Sequence, residues 1–206
     1  RNTLMQTILN HADDPAHDSL VEKKSEFIGD AAHVDTLDEA LAFVAAIREQ
    51  HPKARHVAYA AVVRGADGRL SERMSDDGEP SGTAGKPILD VLRANEMTDC
   101  VVAVTRYFGG ILLGSGGLIR AYSTGASIAV KAANKAKIVP CCEYQVTLDY
   151  PQWGFQNLLA SVDGEQADAQ YTDRIVLSII VPQERSQKFK SRIIETFNAT
   201  VTRANR

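Results

Sequence analysis

The sequence of 206 residues predicts an α+β protein with two domains, residues 1–138 and 139–206. Two observations lead to this prediction. Apolar runs with strand character alternate with amphipathic helical segments along the chain, and the character of the sequence changes near Pro140, where a second and shorter set of strands and helices begins. A content of 44% hydrophobic and 24% charged residues is sufficient for a buried core.

The first domain begins with β-prone stretches between Ser19 and Val34. A helix follows, because Thr36 and Glu39 fit a capping box and apolar residues then recur at helical spacing. The β-branched apolar runs at 56–65 and 99–108 predict two buried strands, with a short strand ending near 74 between them.

Two further helices are predicted in the first domain. One runs from about Thr83, its expected N-cap, to Asn95, with a proline near its first turn. The other runs from about Gly116 to Lys135 and is rich in alanine. Gly125 inside this helix costs about 1 kcal/mol relative to alanine, which predicts close packing against a neighbouring element.

The second domain reads as strand, helix, strand, strand, helix, strand. The apolar stretches "CCEYQVTLDY", "RIVLSIIVP" and "ATVTRA" predict strands, with a further short strand at 166–171. The segments "PQWGFQNLLASV" and "ERSQKFKSRIIETFN" predict helices. The order βαββαβ predicts a ferredoxin-like domain.

Charge and composition exclude several classes of protein. A net charge of −3 and a pI near 6.0 argue against a protein that coats DNA through its positive field. Three cysteines without a CxxC pair argue against structural zinc. No signal-peptide stretch and no run of about eighteen apolar residues is present, so we expect a cytoplasmic protein that does not enter a membrane.

Eleven of the fourteen glycines lie between Gly65 and Gly125, and nine of these fall in two runs, 75–87 and 106–125, which also hold the densest polar chemistry of the chain. The first run, "SDDGEPSGTAGKP", leads into a helix whose free amides, with Lys86 nearby, could hold an anion. It is not a Walker A motif, because Pro87 follows the lysine.

Three carboxylates of the first run, Asp76, Asp77 and Glu79, allow two interpretations. They could hold a cation beside a phosphate, since oxygen ligands suit Mg²⁺. Alternatively they form a self-capping turn, pairing with local amides and with Arg73.

The second run, which begins with "RYFGGILLGSGG", ends a strand with an arginine and two aromatic residues. It could present Arg106 for phosphate or carboxylate recognition and Tyr107 or Phe108 for stacking on RNA, or it could serve packing. The glycines lack GxGxxG spacing, which excludes a Rossmann site. His56 is interpreted first as a core or edge residue and second as a ligand or base.

The run "HPKARHVAYAAVV" and the paired motifs "DDGEPSGTAG" and "RYFGGILLGSGGL" closely resemble the YigZ/IMPACT family over roughly residues 23–133. The resemblance implies an N-terminal domain similar to elongation factor G domain IV and RNase PH, a split βαβ unit with a left-handed crossover. It implies a second domain similar to domains of elongation factor G. The eukaryotic relatives act in translational control, and the family implies no established reaction for bacterial members.

Three functional hypotheses follow. The first is a binding or regulatory module, not an enzyme, whose partner is RNA, the ribosome or a translation-related protein, with no cofactor. The second is an enzyme using Mg²⁺ on a phosphorylated small molecule or nucleic-acid end. The third is a protein-interaction scaffold with no small ligand. The candidate ligand or partner surface comprises Asp76, Asp77, Glu79, Ser81, Thr83, Lys86, Arg106, Tyr107, Gly109, Gly110, Gly114 and His56.

Overall fold

The computed structural model describes residues 4–150 and 153–204. The chain divides into two compact units between Ile138 and Val139. The first unit contains β1 (Gln6–Ile8), β2 (Ala16–Glu22), β3 (Ser25–His33), α1 (Leu37–Gln50), β4 (His56–Arg64), β5 (Leu70–Ser75), α2 (Gly85–Ala94), β6 (Cys100–Tyr107), α3 (Gly114–Ala132) and β7 (Lys135–Lys137). The second contains β8 (Cys141–Leu148), α4 (Phe155–Ser161), β9 (Glu165–Tyr171), β10 (Ile175–Pro182), a 3₁₀ turn (Gln183–Arg185), α5 (Ser186–Phe197) and β11 (Thr200–Arg203).

The first unit is built on a five-stranded sheet in the order β2-β3-β6-β4-β5, with every neighbouring pair antiparallel. Because β3 and β4 both pair with β6, they run parallel to each other and are joined by α1 with β6 between them. This connectivity is a split βαβ arrangement.

Both faces of the central strands are buried, which explains why β4 and β6 are apolar throughout. The even-numbered residues of β4 from Ala58 to Val62 pack with α2 and α3. The odd-numbered residues from Val57 to Val63 pack with α1 on the other face. The predictions of buried strands at these two positions are confirmed.

The helix boundaries depend on caps that the sequence predicted only in part. Thr36 Oγ1 accepts a hydrogen bond from the Glu39 amide at 3.1 Å, as predicted. The Glu39 carboxylate, however, accepts from the amide of Asp35, one residue before the expected partner. The prediction of Thr83 as N-cap of α2 is wrong, because α2 begins at Gly85 and Thr83 donates its hydroxyl proton to the Pro80 carbonyl.

The third helix lies directly against the sheet. A Cβ at Gly29 of β3 would lie 2.3 Å from the carbonyl oxygen of Gly125 in α3. The predicted close packing at Gly125 is therefore confirmed. The helix ends at Ala132, earlier than predicted, and Lys135–Lys137 instead forms a strand paired with Gln6–Ile8.

The second unit is an antiparallel sheet in the order β11-β8-β10-β9. Side chains of β8 and β10 alternate between a buried face and a more exposed face. Tyr144, Val146 and Ile179 from the buried face pack with Phe189 and Ile193 of α5. Among the described residues, no helix is both long enough and apolar enough to cross a bilayer.

Candidate functional site

The two glycine runs meet in the first unit. Pairing of β4 with β6 places His56 opposite Arg106. The loop between β5 and α2, which contains the first run, passes beside both residues, with His56 Nδ1 2.7 Å from the carbonyl oxygen of Asp77. Strand register therefore brings together residues far apart in the sequence.

Glu79 lies at the centre of this contact and is buried, with 8% of its surface exposed. Its Oε1 accepts a hydrogen bond from Arg106 Nη1 at 2.7 Å and another from the Tyr122 hydroxyl at 2.6 Å. His56 Nε2 lies 3.9 Å from the same oxygen. Because a buried carboxylate is costly unless it is paired and hydrogen-bonded, these contacts hold Glu79 in place.

Arg106 is equally enclosed, with 7% of its surface exposed. Its guanidinium lies over the rings of Phe27 at 5.6 Å and Phe108 at 5.4 Å, within cation–π range. Ser25 Oγ, 3.5 Å from Arg106 Nη2, also accepts from the amide of Gly109. Arg106 is therefore an internal cation that links both glycine runs to the β2–β3 hairpin.

Asp76 takes the place that we predicted for an anion at the start of α2. Its carboxylate accepts hydrogen bonds from the amides of Gly82, Ala84 and Gly85 at 2.8–3.1 Å. Burial raises the pKa of Asp76, but these amides outweigh burial and hold the pKa below its usual range. The Asp76 carboxylate thus accepts the hydrogen bonds of the free amides at the start of α2, where a bound anion was expected.

Asp77 faces a different partner. Its Oδ2 accepts from Arg48 Nη1 and from the Val57 amide, each at 2.7 Å. Burial raises the pKa of Asp77, while the bond from Arg48 and then the amide bond lower it, so the net pKa is below the usual range. Arg48, rather than the expected Arg73, is the ion-pair partner.

The three carboxylates of the first run therefore have three separate sets of partners and do not converge. Across residues 4–150 and 153–204, no group of three or more His, Cys, Asp or Glu side chains is placed to hold a metal ion. Mg²⁺ is usually held by one or two carboxylates together with waters and phosphates, and here each of the three carboxylates already accepts hydrogen bonds from the protein itself.

The remaining candidates of the first run lie around this core. Ser81 is exposed, whereas Thr83 is buried. Lys86 is exposed and pairs with Asp90 one helical turn later, at 2.5 Å. Lys86 therefore does not point into a pocket shared with Arg106.

The second run turns sharply at the end of β6. The Tyr107 hydroxyl lies 2.8 Å from His51 Nδ1. Gly110 and Gly114 have φ of +87° and +74°, a region that favours glycine. A Cβ at Gly109 would lie only 1.9 Å from the carbonyl oxygen of Lys24, so the loop rests on the β2–β3 turn.

Next to and between these glycines, three large apolar side chains are exposed. Phe108, Ile111 and Leu112 are exposed, and Leu112 has 81% of its surface exposed. We call residues 108–112 the 108–112 loop. Arg55 lies 5.9 Å from the centre of the Phe108 ring, and the exposed Lys24 adjoins Gly109. The loop is therefore an apolar tip beside basic groups.

The sequence interpretation missed several residues of this site. Leu112 lies within the second run and Tyr122 near its end. No sequence pattern shows that the Tyr122 hydroxyl is buried or that the Leu112 side chain is exposed. Ser25 and Arg48 lie far from either run, and only the fold brings them to it.

Comparison with known proteins confirms the resemblance of the motifs. The Impact N-terminal domain matches residues 23–130, and a domain of unknown function (DUF1949) matches residues 146–200. IMPACT family member YigZ of Escherichia coli is 37% identical over 174 residues, 84% of this chain and 85% of that protein. IMPACT family member YvyE of Bacillus subtilis is 34% identical over 183 residues, 88% and 83% of the two chains.

The likeness extends to the fold of the whole chain. A crystal structure described as a hypothetical protein is 32% identical, with a TM-score of 0.63, and the alignment covers 98% of this chain and 97% of that one. The first domain match spans both glycine runs, including Glu79 and Arg106. The chain belongs to the IMPACT family.

Proposed function

We propose that this protein is a non-catalytic binding module of the translation machinery, and that the 108–112 loop is its docking tip. The partner is RNA, the ribosome or a translation-related protein, which places its action in the cytoplasm. This function follows the family resemblance, whose eukaryotic members act in translational control.

One observation carries the proposal: Glu79 and Arg106, one charged residue from each run, are used inside the molecule, while three large apolar side chains of the second run are exposed. Glu79 and Arg106 form a buried ion pair. Leu112, by contrast, is largely exposed on a loop fixed at Gly109 against Lys24. A rigid apolar tip with basic neighbours suits docking, because preorganised contacts lose little entropy on binding.

The finer fold assignment forms part of the proposal. The arrangement of β3, α1 and β4 around β6 supports a similarity to domain IV of elongation factor G and to RNase PH. The order β11-β8-β10-β9, with βαββαβ connectivity, supports a ferredoxin-like second domain. Both are folds that the translation machinery uses, although fold alone does not define function.

The separate partners of Asp76, Asp77 and Glu79 give no support to the metal-assisted enzyme. Among the predicted site residues, Glu79 and Arg106 form the buried pair beneath the loop, while Asp76, Asp77 and His56 order the first run. The contact itself is assigned to Phe108, Ile111 and Leu112, which were not among the predicted site residues.

The test is co-sedimentation with purified ribosomes, and separately with ribosomal RNA, at low salt. Leu112→Asp should weaken association about tenfold or more, because a charge would enter the centre of an apolar contact. Leu70→Asp is the matched control, since Leu70 is also exposed but lies at the other end of the β4–β5 pair. It pairs with Arg64, which is roughly 26 Å along β4 from His56.

Thermal unfolding of both variants must match the wild type, so that a loss of binding is a loss of contact. If the Leu112→Asp and Leu70→Asp variants bind equally well, the 108–112 loop is not part of the binding surface. Absence of any association at low salt would contradict the ribosome and ribosomal RNA as partners.

A further inference from the structure

The second unit exposes three large aromatic side chains. Trp153 is fully exposed at 100%, and Tyr150 and Tyr171 are exposed at 75% and 70%. Trp153 is also the sole tryptophan of the chain. Clusters of exposed aromatic side chains are uncommon on proteins without a partner, because each carries a large apolar surface into water.

The three residues lie, by their positions along the chain, near one end of the sheet of the second unit. Ile175 at the start of β10 pairs with Leu148 on one side and with Tyr171 on the other. Tyr150 follows Leu148 by two residues, and Trp153 precedes Phe155 by two. Leu148, Phe155 and Tyr171 line one cavity, so Tyr150 and Trp153 each lie within two residues along the chain of a residue in its wall. We call Tyr150, Trp153 and Tyr171 the aromatic end.

A small apolar notch opens beside the aromatic end. Its volume is about 170 Å³, and its walls are mostly the side chains of Leu148, Phe155, Tyr171, Ile175 and Leu177. The polar groups at its margin are uncharged amides of Gln156 and Gln166. The notch has the size and chemistry for one apolar side chain of a partner.

The charges around the aromatic end are mainly negative. Asp149, Asp173 and Glu195 are exposed on the elements that meet there. Arg174 is the neighbouring cation, and Asp149 already pairs with it at 3.5 Å. The end of α5 is fixed here because Phe197 contacts Phe155 at 5.9 Å between ring centres.

Apart from Arg174, a group of basic residues of the second unit lies on α5. Lys188, Lys190 and Arg192 belong to the first two turns of α5, the part of the helix that follows the far end of β10. Proteins that bind single-stranded nucleic acid combine aromatic side chains with a positive groove. The aromatic end has the aromatic groups without that positive field.

We propose that the aromatic end binds a short segment of a partner protein that carries lysine or arginine beside an apolar residue. The apolar residue enters the notch, and the cation lies over Trp153 or a tyrosine ring, where the ring faces attract it. The negative charges of Asp149 and Asp173 also attract this cation over a longer range. The aromatic end belongs to the second unit, whereas the 108–112 loop belongs to the first.

The test uses the emission of Trp153, which reports on this surface alone because the chain has no other tryptophan. A short peptide alternating leucine and arginine should shift the emission to shorter wavelength and saturate. A matched peptide with glutamate in place of arginine, and oligouridylate RNA of similar length, should produce a much weaker response.

Variants identify the contacts. Tyr171→Ala should weaken binding of the leucine–arginine peptide about tenfold, as loss of an aromatic anchor does. Asp149→Asn with Asp173→Asn should weaken it severalfold at low salt, and these exposed changes leave the core intact. Lys188→Ala, on the exposed face of α5, should have no effect, and neither should Leu112→Asp.

Three results would overturn the proposal: no emission change with the leucine–arginine peptide up to about 1 mM, an equal response to the glutamate peptide, or a stronger response to oligouridylate. The Leu112→Asp variant keeps this test distinct from that of the proposed function. If it loses ribosome association but binds the peptide normally, the two surfaces act independently.

Discussion

Arg106 Nη1 donates a hydrogen bond to Glu79 Oε1 at 2.7 Å across 27 residues of sequence, and both side chains are buried. This pair joins the end of β6 to the loop that precedes α2. Each of the two glycine runs contributes one member, so the pair fixes the position of one run relative to the other. The exposed 108–112 loop begins two residues after Arg106 and depends on this support.

Removal of the Tyr122 hydroxyl tests how much Glu79 depends on its second donor. Tyr122 is fully buried, and burial, followed by the hydrogen bond and charge of Glu79, raises its pKa, so the hydroxyl remains a donor. Tyr122→Phe keeps the ring packed on Phe27 but leaves the carboxylate with one donor fewer. We expect the free energy of unfolding, measured with urea, to fall by about 1–3 kcal/mol. Wild-type stability would show that Glu79 does not need this bond.

The contact between β3 and α3 leaves no room for a methyl group at Gly29. Gly29→Ala would place a Cβ 2.3 Å from the Gly125 carbonyl oxygen, so the helix must move. We expect the free energy of unfolding, measured with urea, to fall by about 1–3 kcal/mol. Gly116→Ala is the control, because a Cβ at Gly116 would lie 3.4 Å from its nearest neighbour, the flexible end of the Arg120 side chain. The free energy of unfolding of this variant should be unchanged or higher by up to about 1 kcal/mol. Equal effects of the two changes would contradict this packing.

Asp76 gives the protein a defined pH dependence. Its folded-state pKa is lowered, so its contribution to stability is present above its unfolded pKa and is lost as pH falls through the folded value. Asp76→Asn should cost about 1–2 kcal/mol at neutral pH, because three amides lose a charged acceptor. The difference between wild type and variant should shrink below about pH 4 in urea unfolding. A difference that stays constant down to pH 2 would contradict the role of the ionised carboxylate.

The three cysteines should react at very different rates. Burial, and then the charge of Asp99, raise the pKa of Cys100 to about 12, and Cys142 is also buried. Cys141 is exposed. Because the thiolate is the reactive form and must be reached by the reagent, a disulfide reagent should modify Cys141 rapidly in the folded protein. Cys100 and Cys142 should react only after unfolding. Rapid modification of Cys100 in the native state would show that β6 opens easily.

Local patterns predicted much of the fold. Thr36 marked the start of α1, and the apolar runs marked β4 and β6, because burial of both faces leaves a continuous signal in the sequence. The cap of α2 could not be predicted in this way. Asp76 reaches its amides from across a loop, so the local candidate, Thr83, was wrong.

The site was harder to predict than the elements around it. The sequence indicated that the glycine runs mattered, but the pairing of Glu79 with Arg106 depends on the register of β4 against β6, which no single segment encodes. The strands β1 and β7 were missed for a similar reason: each has three residues, and their pairing partners are distant in sequence. The polar residues of a motif do not by themselves distinguish a binding site from a buried support.

A double-mutant cycle between Glu79 and Arg106, measured by urea unfolding of Glu79→Gln, Arg106→Met and the double variant, tests this support most directly. Each single change should be strongly destabilising, because it leaves a partner buried and unpaired, and the double variant should cost less than the sum by at least about 1 kcal/mol. Single variants as stable as the wild type, or costs that simply add, would show that the two glycine runs are not held together by this pair.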